Sequence, residues 1–204
     1  MMVAPQAAAT VVFVPGLRDH VEDHWQTLLA RRLPGSVTVP RLGKETLSCA
    51  AWVAALDATL GAVGGPVILA AHSAGVMMVA RWARTHGRPI LGALLATPPD
   101  FVTPLPAGYP ALDTLAVHGW LPVPGTRLPF PSLLVASRND PLGGFDNVLA
   151  LGRQWGSAVV DGGAIGHLNA ASGFGEWPEA LDHLHALGLP REAVVRESRS
   201  TAWH

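Results

Sequence analysis

Short apolar or β-branched runs bounded by Gly and Pro alternate along this chain with longer stretches of helical period, and no other feature narrows its fold as much. TVVFVPG at 10–16 precedes EDHWQTLLARRL at 22–33, SVTVP at 36–40 precedes TLSCAAWVAALDATLG at 46–61, and GPVILAAHS at 65–73 precedes AGVMMVARWARTHG at 74–87. Gly61 and Gly87 are placed to end the second and third helices. Further strands are expected at 90–97, 131–137 and 157–162, with helices near 144–155 and 176–187. Parallel neighbours cannot be joined by a tight turn, so each crossover lays a helix back over the sheet. Six strands connected this way give an α/β protein, a three-layer α/β/α sandwich around a mostly parallel six-stranded sheet.

Two kinds of segment depart from the rhythm. Residues 98–130 hold eight prolines (98, 99, 104, 106, 110, 122, 124 and 129) without a clear period and are expected to form a surface excursion bordering a substrate site. The ends, 1–9 and 190–204, lack periodicity and are expected to be flexible, leaving 10–189 as a single domain. Charged residues make up 14% and hydrophobic residues 49% of the 204, against about 25% charge in an ordinary domain, so the chain invests in a core. One cysteine excludes a disulfide scaffold, and Cys49 reads as a small buried hydrophobe. A net charge of -1 with no basic cluster excludes a phosphate-backbone footprint, and hence nucleic acid as a partner. No apolar run approaches the roughly 18 residues of a membrane span. The start, MMVAPQAAAT, lacks a basic signal-peptide region, which gives a cytoplasmic expectation.

Ligands of doubly wound sheets bind beyond the carboxyl ends of the strands, so chemistry is sought there. The third strand runs through Ala71, His72, Ser73, Ala74 and Gly75 straight into a helix, the strand, sharp turn and helix of a nucleophile elbow. Ala71 and Gly75 supply the small residues that so tight a turn demands, Ala71 standing where Gly is more usual. The competing reading of Ser73 is a helix N-cap. A serine hydroxyl needs a base to take its proton and a third group to orient that base. Asp140, in SRNDP after the fifth strand, and His167, in the loop after the sixth, supply an acid and an imidazole in the order Ser, Asp, His. Asp161 is a rival orienting acid, but it sits within or just leaving its strand.

FVPG followed by His24 and Trp25, AAWVAALDATL (50–60), VILAAHSAG (67–75), SRNDP (137–141) and GHLNAASGFGEWP (166–178) together resemble the compact serine hydrolases of the RBBP9/YdeN type. The resemblance runs over about residues 10–187. It implies a minimal α/β-hydrolase without a large cap, sheet order 2-1-3-4-5-6, Ser73 as nucleophile, Asp140 as acid and His167 as base. In that order the loop after the first strand lies beside the elbow. The oxyanion hole would then take backbone N–H groups from Ala74 and from Leu17, with Gly16 letting the chain bend towards the serine.

Neither a dinucleotide fingerprint nor a phosphate loop is present, so no cofactor is expected. His20 and His24, four apart among Asp19, Glu22 and Asp23, could form a metal face, but acids at a helix start more often complement its dipole, and no metal is expected. His72 is read as packing for the elbow. Trp25, Phe101, Tyr109 and Trp120 are candidate edges of a shallow pocket for a small ester. The expected activity is esterase-like hydrolysis of short acyl groups through an acyl-enzyme. Two alternatives stand beside it: an interaction module on a hydrolase scaffold, since fold alone does not establish chemistry, and a cofactor-free lyase or haloperoxidase-like activity on the same three residues. Oligomeric state is not legible in the sequence.

Overall fold

All six expected strands pair in parallel, in the order β2-β1-β3-β4-β5-β6. They are β1 (Thr10–Val14), β2 (Val37–Thr38), β3 (Val67–His72), β4 (Gly92–Ala96), β5 (Ser132–Ala136) and β6 (Ala158–Asp161). The computed structural model describes residues 9–17, 21–43 and 46–193. The expectations for residues 1–8 and 194–204 lie outside these. Among the described residues no helix is long and apolar enough to cross a membrane.

Side chains alternate across the sheet because successive Cβ atoms of a strand point to opposite faces. Val12, Val14, Leu69, Ala71, Ala93, Leu95, Leu134 and Ala136 face one layer, formed by α2 (Cys49–Ala62), α3 (Ala74–Thr85) and α5 (Phe145–Trp155). Val11, Phe13, Ile68, Ala70, Leu94, Ala96 and Val135 face the other, formed by α1 (Trp25–Arg32) and α6 (Glu179–Ala186). Both faces of β3 are therefore buried, which is why its first five residues, VILAA, read as a continuous apolar run rather than an alternating one.

Two expectations about local structure are corrected. Gly61 lies inside α2, and Gly87 follows an extended C-cap at His86, so neither helix ends on a left-handed glycine. Arg88 does the capping of α2 instead, donating to the carbonyls of Leu60, of Val63 at 2.6 Å and of Gly65 at 3.1 Å. The proline-rich segment is more than a surface excursion. It carries a short helix, α4 (Leu112–Val117), and sends Leu115, Trp120, Leu128 and Phe130 into the core. Its buried residues are spaced irregularly among the prolines, which leaves no period to detect.

The register places the site. Val14 at the end of β1 pairs with Ala71 near the end of β3, and His72 pairs with Ala96 of β4. The loop after β1 and the turn after β3 therefore emerge side by side, where the strand order reverses. Gln26 of α1 occupies this divergence, its buried side-chain amide donating to Val14 O at 3.2 Å and to Ala70 O at 2.9 Å.

Candidate active site

Ser73 occupies the N-cap position of α3 but makes no capping bond, and its backbone takes φ 56 and ψ -130. A non-glycine residue pays for a positive φ in strain. The conformation turns the hydroxyl out of the helix axis and towards His167, with Ser73 Oγ 2.8 Å from His167 Nε2. Ser73 N–H donates to Ala96 O at 3.0 Å, which ties the turn to the end of β4. The turn is also pressed against the loop after β1. A Cβ on Gly16 would lie 3.1 Å from Ser73 Cβ, and one on Gly75 would run into the carbonyl oxygens of Val14 and, at 2.7 Å, Pro15. Ala71 is fully buried opposite Val14.

His167 Nδ1 stands 3.0 and 2.9 Å from the two carboxylate oxygens of Asp140. The His167 and Asp140 side chains are only 5% and 2% exposed, whereas Ser73 stays half-buried and reachable. A carboxylate only accepts, so the Nδ1 proton faces Asp140 and Nε2 offers its lone pair to the serine hydroxyl. Asp161 is turned elsewhere. It accepts from Arg138 Nε at 2.9 Å and from Gly163 N–H at 2.9 Å, and these donors hold its carboxyl below the ordinary carboxylate value.

The loops carrying Asp140 and His167 are tied down by groups that the sequence reading did not single out. Asn139 Oδ1 accepts from Gly166 N–H at 2.6 Å and from Ser137 Oγ at 3.0 Å, so SRNDP holds the histidine loop as well as the acid. Ser172 Oγ accepts from His167 N–H at 3.0 Å. Asp100, 2% exposed, accepts from Val102 N–H at 2.8 Å, Gly144 N–H at 2.9 Å and Asn147 Nδ2 at 2.9 Å. Burial alone would raise its pKa, but these donors outweigh it and hold the carboxyl below its ordinary value. Asp100 thereby joins the loop after β4 to the chain just beyond Asp140. Its sequence context, Pro-Pro-Asp, reads only as a turn.

Ala74 is the first residue of α3, so its N–H belongs to the helix turn that lacks an acceptor four residues back. Leu17 follows Gly16 beside Ser73, its side chain packed on the core. The expected pocket residues need correction. Trp25 and Trp120 are 1% and 0% exposed: Trp120 donates its indole N–H to Leu47 O, and Trp25 packs edge-on against Trp177 and His72, lining only a small depression with Leu28, Arg32 and Glu176. Large aromatic surfaces near loops were drawn inward by the apolar area they remove from water. Phe101 is 6% exposed and packs on Trp120, while Tyr109 is half-buried. His24 caps α1, its Nδ1 accepting from Gln26 N–H at 3.3 Å, and His20 lies outside the described residues. Cys49 is buried, and burial raises its thiol pKa, as suits a packed thiol.

The model of a protein family described as serine hydrolase matches residues 11–186. No curated protein matches. Among solved structures, a YdeN-like hydrolase from Pectobacterium atrosepticum is similar with TM-score 0.73 and 29% identity, over 92% of this chain and 94% of that one. The ydeN gene product of B. subtilis is similar with TM-score 0.68 and 19% identity, over 88% of this chain and 98% of that one. Est1E from Butyrivibrio proteoclasticus gives 0.63 and 13%, over 90% and 89%. The last two likenesses are of fold.

Proposed function

The chain belongs to the serine hydrolase family, and we propose that it cleaves small or short-chain acyl esters through an acyl-enzyme. Ser73 Oγ attacks the carbonyl carbon while His167 Nε2 takes its proton. Asp140 keeps the imidazole in the Nδ1–H tautomer and balances the imidazolium. Collapse of the tetrahedral intermediate breaks the bond to the leaving alcohol, which receives the proton from His167. Water, deprotonated by the same imidazole, then releases the acid and restores Ser73. The oxyanion is stabilised by the N–H groups of Ala74 and Leu17, each worth on the order of 3 kcal/mol of barrier.

The observation that carries this reading is the strained serine, φ 56, with its hydroxyl 2.8 Å from His167 Nε2. A module that only bound a partner would gain nothing from that strain. The test is covalent labelling by a fluorophosphonate together with hydrolysis of p-nitrophenyl acetate. The unaltered protein should take the label on Ser73, and Ser73→Ala should lose both label and turnover while keeping its circular dichroism. An adduct on another serine, or full turnover by Ser73→Ala, would overturn the reading.

A further inference from the structure

We infer that His72 is a positioning residue for His167: its imidazole N–H, with the Thr97 hydroxyl, clamps the main-chain carbonyl of His167 and so aims the base at Ser73. The inference rests on the catalytic reading above. His72 ends β3 immediately before the serine, and its Nε2 lies 2.9 Å from His167 O. Thr97 Oγ1, from the residue after β4, lies 3.4 Å from the same oxygen. A carbonyl oxygen only accepts, so the hydrogen of His72 must sit on Nε2. His72 is 5% exposed. Burial first, then the proximity of His167 and His24, holds its pKa well below 6.5, so it works as a neutral donor with a single N–H committed to this bond.

The clamped peptide is the one that needs holding. It joins His167 to Leu168, a fully buried residue with φ 50. A left-handed leucine persists only where its surroundings over-determine the backbone. Two donors on the preceding carbonyl fix the plane of that peptide. On the other side of His167, Ser172 and Asn139 hold the N–H groups of His167 and Gly166. The base is thus gripped by its main chain from both directions, and the His72 grip comes from the residue adjoining the nucleophile. Movement of one is transmitted to the other.

The choice of imidazole also has a charge logic. The His72 and His167 rings are 5.0 Å apart. When His167 takes the serine proton it becomes a cation, and a second cation at that distance would oppose the transfer. A lysine or arginine could reach the carbonyl only at that cost, whereas a neutral imidazole supplies the N–H without charge. Trp25, edge-on to His72, and His24, at 4.6 Å, fix the ring from its other sides.

The test separates donation from space-filling. His72→Leu keeps much of the volume and loses the N–H, while His72→Gln carries an amide N–H close to the position of Nε2. His72→Leu should lower kcat for p-nitrophenyl acetate roughly 100-fold, the effect of a displacement of about 1 Å at a reacting group. KM should stay within about twofold, because no ground-state contact to substrate is removed. His72→Gln should recover kcat to within about fivefold of the unaltered protein. A His72→Leu protein within about threefold of the original, or a His72→Gln protein as poor as His72→Leu, overturns the clamp. If His72→Leu does not fold, nitrogen-15 NMR of the unaltered protein decides. An Nε2–H tautomer of His72 with hydrogen-bond coupling to the His167 carbonyl carbon supports the clamp, and an Nδ1–H tautomer overturns it. Unaltered protein that takes no fluorophosphonate label would instead overturn the catalytic reading, while the tautomer measurement still decides the clamp.

Discussion

Gly75→Ala adds one methyl group to the second residue of α3, and the structure says where that methyl goes. It meets the carbonyl oxygen of Val14, the carbonyl oxygen of Pro15 at 2.7 Å and Val14 C at 2.9 Å. All three belong to backbone, so no rotamer change relieves the contact. Either α3 lifts away from the end of β1 or the loop after β1 is pushed aside. Overpacking in a tight interior costs about 1–3 kcal/mol, and two backbone partners place this case at the upper end. At 2–4 °C per kcal/mol for a chain of this size, Tm should fall by about 6–12 °C. The kinetic cost is separate, because the displaced parts carry Ser73 on one side and Leu17 on the other. A shift of about 1 Å breaks near-attack geometry and should lower kcat/KM for p-nitrophenyl acetate roughly 100-fold. Gly61→Ala is the control: it lies exposed within α2, its added methyl meets nothing within 4 Å, and its φ is not left-handed. It should raise stability by about 0.5 kcal/mol and leave turnover alone. Thermal melting and steady-state kinetics on both proteins settle the matter. A Gly75→Ala protein melting within about 1 °C of the original, with undiminished kcat/KM, would refute the close approach of α3 to β1.

Asp140→Asn should lower kcat by roughly 10⁴, since an amide presents the wrong partner to Nδ1, whereas Asp161→Asn, which loses a surface pairing with Arg138, should stay within about threefold; a reversal would transfer the orienting role to Asp161. Asp100→Asn should cost about 2 kcal/mol by weakening the charge-assisted bonds from Val102, Gly144 and Asn147. Because the folded carboxyl sits below its ordinary value of 3.8, this difference should be complete above that value and shrink as pH falls through the folded pKa. Melting curves of both proteins against pH would show it, and a gap that widened in acid would contradict the assignment. Across p-nitrophenyl acetate, butyrate, octanoate and palmitate, kcat/KM should peak at the short end, because α4 is a single six-residue helix and the neighbouring aromatics Phe101 and Trp120 are already consumed by the core. A steady rise to palmitate, which requires about 0.8 kcal/mol for each methylene received by a pocket, would mean that a deep acyl channel exists.

What could be read from the sequence follows a physical division. Strands buried on both faces, such as β3 with its VILAA run, write nearly their whole length in apolar residues, and the crossover helices announce themselves by period, so architecture was legible. The meeting of Ser73, Asp140 and His167 within hydrogen-bond distance could be anticipated because each stands in a local context that means something by itself: a strand running into a helix, an acid after a strand, a histidine in a loop following the last strand. The groups that hold them carry no such local mark. His72 meets the carbonyl of a residue 95 positions away, and Asp100 meets an amide 44 positions away. Thr97, Phe101 and Leu168 take a positive φ that their residue types do not announce. Aromatic placement failed for a related reason, since Trp25 and Trp120 beside loops have the same local signature whether they wall a cleft or fill the core; only the strand order decides, by laying α1 over β1 and β3 and burying Trp25 beneath His72. On the clamp proposed above, the same geometry gives the elbow's histidine a role beyond packing. At the carboxyl end of a strand, the residue before the proposed nucleophile points to the opposite face from its neighbour in the strand, so in this sheet order it reaches the loop that carries His167. A donor there can hold the base in place without touching substrate.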